Sequence, residues 1–404
     1  MRQFRQSPGL MPPTPPRPQS SFERAPRRVA WITPDYPPDR GGVSDHSSAM
    51  VNVLRGAGHD VLVCSRPQER PFRRLDADLV EYRPSLVVLA YVPNGYAPRT
   101  GGIAPALTWW SVGLRRRLNC RAILLAHEVS LPAVYHWRHR ELKLAALGMA
   151  QVAQFSLLAS DFDTVLFSNL GTRRALARRI PRLANRFHTL RICSNIPYHS
   201  SADPRAELSA SGCFVPGPTI LFFGTGHQSV LFEYVERAFT AILKVEPTAG
   251  LVIVGMSPEK LHELRPSLAA LGTRVRALGY VEAPQVSLWL QVATLVLAPL
   301  VEGVSARKGT VMAALQHGQA VVTTRGVRTC DDIDWDEICI LSPLDAQTFA
   351  TKAREAFGNQ ELRTRVGRAA QSEYETHASA SVTALRILDY ADTSLDSNGT
   401  GPTP

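Results

Sequence analysis

Residues 299–324 read PLVEGVSARKGTVMAALQHGQAVVTT, and the fold is decided by how this stretch is read. Leu295, Val296, Leu297 and Ala298 precede it, and Ala320, Val321 and Val322 close it; short apolar runs of this kind bounded by turn residues read as buried parallel strands. Between them Val311, Met312, Ala314 and Leu315 recur at helical spacing and Gly318 supplies a stop, which predicts a helix beginning at 308–310 and ending near 316. The loop before that helix carries Glu302, two glycines (Gly303, Gly309) that let backbone approach a ligand, the hydroxyls of Ser305 and Thr310, and the cations Arg307 and Lys308 at a helix N-terminus. A diphosphate suits that composition at the carboxyl end of a strand, where open parallel sheets bind ligands; the plain alternative is a solvated turn with two basic residues.

The chain around this stretch has 404 residues, enough for two domains, and a composition (45% hydrophobic, 20% charged) that places it among globular proteins. Its net charge of +10 favours acidic partners, yet six arginines against Glu23 in the first 28 residues supply half of it, which weakens a nucleic-acid reading. Six scattered cysteines (Cys64, Cys120, Cys193, Cys213, Cys330, Cys339) form no CxxC pair, so neither a zinc site nor a disulfide framework is indicated and a reducing cytoplasm is the simplest home. No run approaches the ~20 apolar residues of a membrane span, and the N-terminus lacks the apolar segment of a secretory signal.

In chain order, residues 1–27 are a basic Pro-rich tail that reads as disordered. Val29 to Ile32 begin a βαβ unit with a proline-rich loop, a helix over 44–56 and a strand over 61–64; further strands are expected at 86–92, 121–126 and 164–168. One helix is expected over 105–118, with Trp109 and Trp110 beside Arg115, Arg116 and Arg117: a solvated face, or an amphipathic surface for anionic lipid. Residues 197–218 read as a linker rich in Pro, Ser and Gly. A second Rossmann-like half follows over 219–376, with strands at 220–223, 250–255 and 275–278, then a helix over 379–391 and a polar tail over 393–404.

Several motifs in order (ITPDYPPDRGGVSDH, GAGHDVLV, LLAHE, FSN, ILFFGTG, LVIVG, LGYV, APLVEGVSARKGT, AALQHGQAVVTT) make the chain similar to a GT-B glycosyltransferase of the family-4 type, over about 28–392. The resemblance implies an α/β protein of two facing Rossmann-like domains, the first (28–196) for acceptor and the second (219–376) for a nucleotide sugar, with a C-terminal helix (377–392) returning to the first domain and a hinge that closes on donor. It implies donor contacts from Gly41, Gly42, Gly224, Glu302, Gly303, Ser305, Gly309 and Thr310, catalytic roles for His127, Arg307 and Lys308, and acceptor contacts from His46 and Glu128. No metal and no cofactor are expected besides the donor; retention of anomeric configuration is. The expected partners are a nucleotide-sugar donor, a carbohydrate, lipid-linked or small-molecule acceptor, and an anionic membrane surface on the cytoplasmic side, with no nucleic acid. Glycan, polysaccharide or glycolipid synthesis is the implied setting.

One departure stands out. The two glutamates that family members place with seven residues between them fall, counting back from Gly318, on Ser305 and Ala313, and the turn after the first strand of the second domain (Gly224, Thr225, Gly226, His227, Gln228) lacks the usual cations. Arg307 and Lys308 then stand in for those cations. A catalytically degenerate GT-B binder and a nucleotide-sugar epimerase are the rival readings; a dinucleotide oxidoreductase is disfavoured because no GxGxxG follows a strand. Acceptor choice is assigned to loops 94–102 and 130–140, which hold Tyr96, Tyr135, Trp137, Arg138 and Arg140.

Overall fold

A computed structural model describes residues 25–39, 41–69, 72–129, 142–212, 217–224 and 229–392. The tail readings over 1–24 and 393–404, the turn residues Thr225, Gly226, His227 and Gln228, and the loop residues Tyr135, Trp137, Arg138 and Arg140 lie outside them.

Apolar runs too short for helices and separated by amphipathic segments can bury both faces only in a covered parallel sheet, and two such sheets form. The first domain holds β1 (Arg28–Thr33), α1 (Gly42–Gly56), β2 (Asp60–Ser65), α2 (Phe72–Tyr82), β3 (Leu86–Tyr91), α3 (Pro105–Ser111), α4 (Leu114–Leu118), β4 (Arg121–Ala126), α5 (Leu142–Ser160), β5 (Thr164–Phe167), α6 (Leu170–Arg179) and β6 (Phe187–Thr189). The second holds α7 (Pro204–Ala210), β7 (Thr219–Phe223), α8 (Phe232–Leu243), β8 (Gly250–Val254), α9 (Pro258–Leu264), β9 (Val275–Ala277), α10 (Ala283–Val292), β10 (Ala293–Ala298), α11 (Gly309–Gln316), β11 (Val321–Thr324), β12 (Ile340–Ser342), α12 (Ala346–Gly358) and α13 (Gln360–His377). α14 (Ala380–Asp392) then leaves the second domain and packs Ala384, Ile387 and Leu388 with Val29, Trp31, Met50 and Leu54 of the first.

Both sheets are parallel, in the orders β2-β1-β3-β4-β5-β6 and β12-β11-β10-β7-β8-β9. In the first, the chain winds one way from β1 to β2 and the other way from β3 onward; in the second it reverses between β7 and β10. The loops after β1, β7 and β10 therefore open at switch points, where the crossover helices diverge and leave a crevice. These are the loops that carry Gly41 and Gly42, Gly224, and Glu302 to Gly309.

Two expectations are corrected. The helix expected over 105–118 is broken into α3 and α4, because Gly113 takes a left-handed φ of 69° that ends one helix and starts the next. The stretch 197–218 is not bare linker: Asp203 accepts from the Ala206 amide, Pro204 opens α7, and Leu208, 1% exposed, packs into the second domain's core with Trp289.

Candidate functional site

The site is built on two helix N-termini. α1 follows β1 through the proline-rich loop and begins after Gly41, whose φ of 152° is one that L side chains rarely adopt; a Cβ on Gly41 or Gly42 would meet nothing within 4 Å, so open space lies before the helix. α11 begins at Gly309 with Lys308 at its cap position, and neither helix has a side-chain cap, which leaves their first amides to an outside acceptor. Asn195 ties the two together. Its Nδ2 donates to Asp45 Oδ2, in the first turn of α1, at 3.0 Å, and its Oδ1 lies 3.2 Å from where a Cβ on Gly309 would sit. Two positive dipole ends, one from each domain, thus face each other across one asparagine.

Beside this junction stand two histidines. His127 follows β4 and His46 lies on α1; their rings are 4.8 Å apart in an edge-on arrangement, and they are 7% and 1% exposed. Among the described residues, neither ring nitrogen of His46 nor Nε2 of His127 has a hydrogen-bond partner. Burial lowers the His46 pKa to about 4; burial, then His46, then Arg307 push that of His127 well below the usual range. Both rings are therefore neutral at physiological pH, each able to donate one hydrogen bond and accept one. Buried polar atoms of this kind call for a ligand or water.

The cations come from the α11 loop. Arg307 Nη2 donates to Glu128 Oε1 at 2.8 Å, an ion pair that spans the cleft between the domains. Burial and the neighbouring Arg307 lower the Lys308 pKa, with Glu302 acting in the other direction. Ser305 is 2% exposed with its Oγ unpartnered, and Thr310 is half-buried in the first turn of α11. The arrangement concentrates positive charge and free amides at one end of a two-sided crevice, which is what an anionic ligand requires.

The other sequence-derived candidates divide. Gly224 sits at the carboxyl end of β7, and the chain beyond it returns beside the α11 loop, where the Leu231 amide donates to Pro299 O and that of Val301 to Ser229 O. Glu302 pairs with Arg328 at 2.7 Å, so its carboxylate anchors its own loop. Gly303, at φ 83°, presses on Gly326, whose nitrogen would lie 2.2 Å from an added Cβ; packing between two loops explains this glycine without a ligand. Tyr96, assigned to an acceptor loop, is 5% exposed and donates its hydroxyl to Ala90 O at 3.0 Å, which makes it a core residue. Asp45 and Asn195 were not singled out for the site; they lie 150 residues apart, and no local spacing marks them. Ala313 is fully buried among Ala314, Leu315 and Tyr374, so no carboxylate faces a ligand at that position. Among the described residues, no three His, Cys, Asp or Glu side chains cluster as metal ligands.

Residues 217–359 match the family profile described as Glycosyl transferases group 1. Solved structures align over nearly the whole chain. Sucrose-phosphate synthase from Thermosynechococcus elongatus is 16% identical over 89% of this chain and 97% of that one, with a TM-score of 0.67. A glycosyltransferase from Rickettsia africae is 12% identical, covering 91% and 98%, with a TM-score of 0.67. Anabaena HepE in complex with UDP and glucose is 13% identical, covering 90% and 98%, with a TM-score of 0.61. This is the GT-B glycosyltransferase fold. No curated sequence matches the chain. In GT-B terms the α1 terminus belongs to the first domain and the α11 loop to the second, and the crevice between them is the interdomain cleft.

Proposed function

We propose that this GT-B protein transfers a sugar from a nucleoside-diphosphate sugar to a carbohydrate, lipid-linked or small-molecule acceptor, with retention and without a metal ion. The observation that carries the reading is the meeting of the α1 and α11 N-termini at Asn195, flanked by Arg307 and Lys308. Breaking the anomeric bond leaves a diphosphate whose charge must be stabilised as it forms, and aligned amides with two cations do that in a water-poor cleft. The open face of Gly41 and Gly42 admits phosphate oxygens from the first-domain side. The ring contact of His46 with neutral His127, whose pKa Arg307 also lowers, supports a role for His127 as a hydrogen-bonding partner of the transferred sugar with His46 packed against it. HepE, which shares the fold, holds UDP and glucose.

A second reading is a catalytically degenerate binder of the same ligand, favoured by Ser305 and buried Ala313 where glutamates are usual in this fold family. Titration calorimetry against UDP, GDP, ADP and their sugar derivatives, with Arg307→Ala/Lys308→Ala alongside, tests both. Binding of one nucleotide, weakened about 100-fold or more in the variant, is expected. Binding without hydrolysis or transfer of the matching sugar nucleotide would favour the degenerate reading, and no binding by folded protein would overturn both.

A further inference from the structure

α5 is anomalous for a surface helix. From Leu144 to Ser160 it carries no charged residue, and Ala146, Met149, Ala150, Ala153 and Leu157, spaced along one face, are exposed, Met149 at 68% and Leu157 at 58%. Its opposite face is committed to the core through Phe155, Leu158 and Ala159. α3 runs beside it: the Ala104 amide donates to Gln154 Oε1, and the Gly113 amide to Asp161 Oδ1. Trp109, between those two ties, is thus level with the turn of Leu157; it is 81% exposed, and Val112 next to it 54%. Methionine, leucine, valine and tryptophan share one surface that none of the described residues covers.

The surroundings of that surface are basic. Arg182 donates to Ser156 Oγ and Arg186 to the Ser160 and Phe162 carbonyls, so both flank the C-terminal half of α5; Arg116 is exposed on α4, and Arg178 and Arg179 on α6. An apolar strip with a tryptophan, rimmed by arginines, is the complement of an anionic lipid interface: the apolar groups enter the acyl boundary and the guanidiniums meet headgroup phosphates. A second copy of the same basic face would be repelled by it.

We infer that the α3–α5 face docks the protein peripherally on an anionic membrane. Among the described residues no helix is long and apolar enough to cross one, so the contact lies in the plane of the interface. The surface belongs to the first domain, the one that carries His46 and His127.

The test is co-sedimentation of the full chain with vesicles of phosphatidylcholine alone and of phosphatidylcholine mixed with phosphatidylglycerol, beside Met149→Glu/Leu157→Glu. Wild type should pellet with the mixed vesicles, less so as salt rises, and the variant should partition about tenfold or more weakly. Nucleotide binding should be equal in the two, which separates this result from the reading of the cleft. Pelleting of the variant like wild type would overturn the inference and assign binding to the basic N-terminal tail. Equal binding to both vesicle types, no binding, or a dimer in sedimentation velocity that the variant abolishes would also overturn it.

Discussion

Arg307 reaches across the cleft to Glu128, so an incoming diphosphate competes with a carboxylate for this guanidinium. The pair is part-exposed, and such pairs are worth up to about 1 kcal/mol. Glu128→Gln should therefore tighten nucleoside-diphosphate binding by up to about fivefold in calorimetry; weaker binding would instead mean that Glu128 touches the ligand. The buried histidines set a second expectation at this scale. His46 and His317 have pKa values lowered to about 4 and His127 is pushed well below the usual range, in each case first by burial, whereas the unfolded chain titrates near 6.5. The unfolded state takes up protons first as pH falls, so stability present above pH 6.5 is lost progressively toward pH 4, by up to about 3 kcal/mol each for His46 and His317. Thermal melts of wild type and His46→Asn check this: the variant should show a shallower fall in Tm between pH 7 and 4.5, and parallel curves would contradict it.

At the scale of elements, the α11 loop is held by backbone packing as much as by side chains. Gly303→Ala would drive a Cβ into the Gly326 backbone at a left-handed φ, and should cost about 3 kcal/mol, read as a lower urea midpoint at unchanged slope. α11 itself was legible to a residue because Gly309 and Gly318 bracket a clean helical period. α3 and α4 were not separated, since a glycine inside an otherwise helical pattern is tolerated and only its φ reveals the break. α7 could have been found: Asp203 followed by Pro204 is a cap with proline at the first helical position, and Leu208 marks its buried face. β6, three residues long, offers no period to detect. The junction of Asp45, Asn195 and Gly309 was out of reach for a different reason, because it exists only once two domains and the chain between them are assembled.

At the scale of the molecule, the two domains are tied by contacts that local reading does not supply. The Ser194 amide donates to the Tyr374 hydroxyl at 3.1 Å in a buried setting, Arg191 pairs with Glu373, and Arg174 pairs with Asp331 at 2.8 Å. α14 then lays Ile387 and Leu388, both fully buried, against β1 and α1. The first domain's core is thus completed by the last helix of the chain, and the helix whose N-terminus faces the cleft rests on it. Ile387→Ala removes packing at that joint and should destabilise the protein by about 2–5 kcal/mol. Because the loss falls on one side of the molecule, limited proteolysis should cut the first domain before the second, while the α11 loop keeps its cations in place. Nucleotide affinity measured below the melting transition should stay within a few-fold of wild type if α14 acts through stability. A large loss of affinity in a still-folded variant would show instead that α14 sets the separation of the two helix N-termini, and with it the geometry of the cleft.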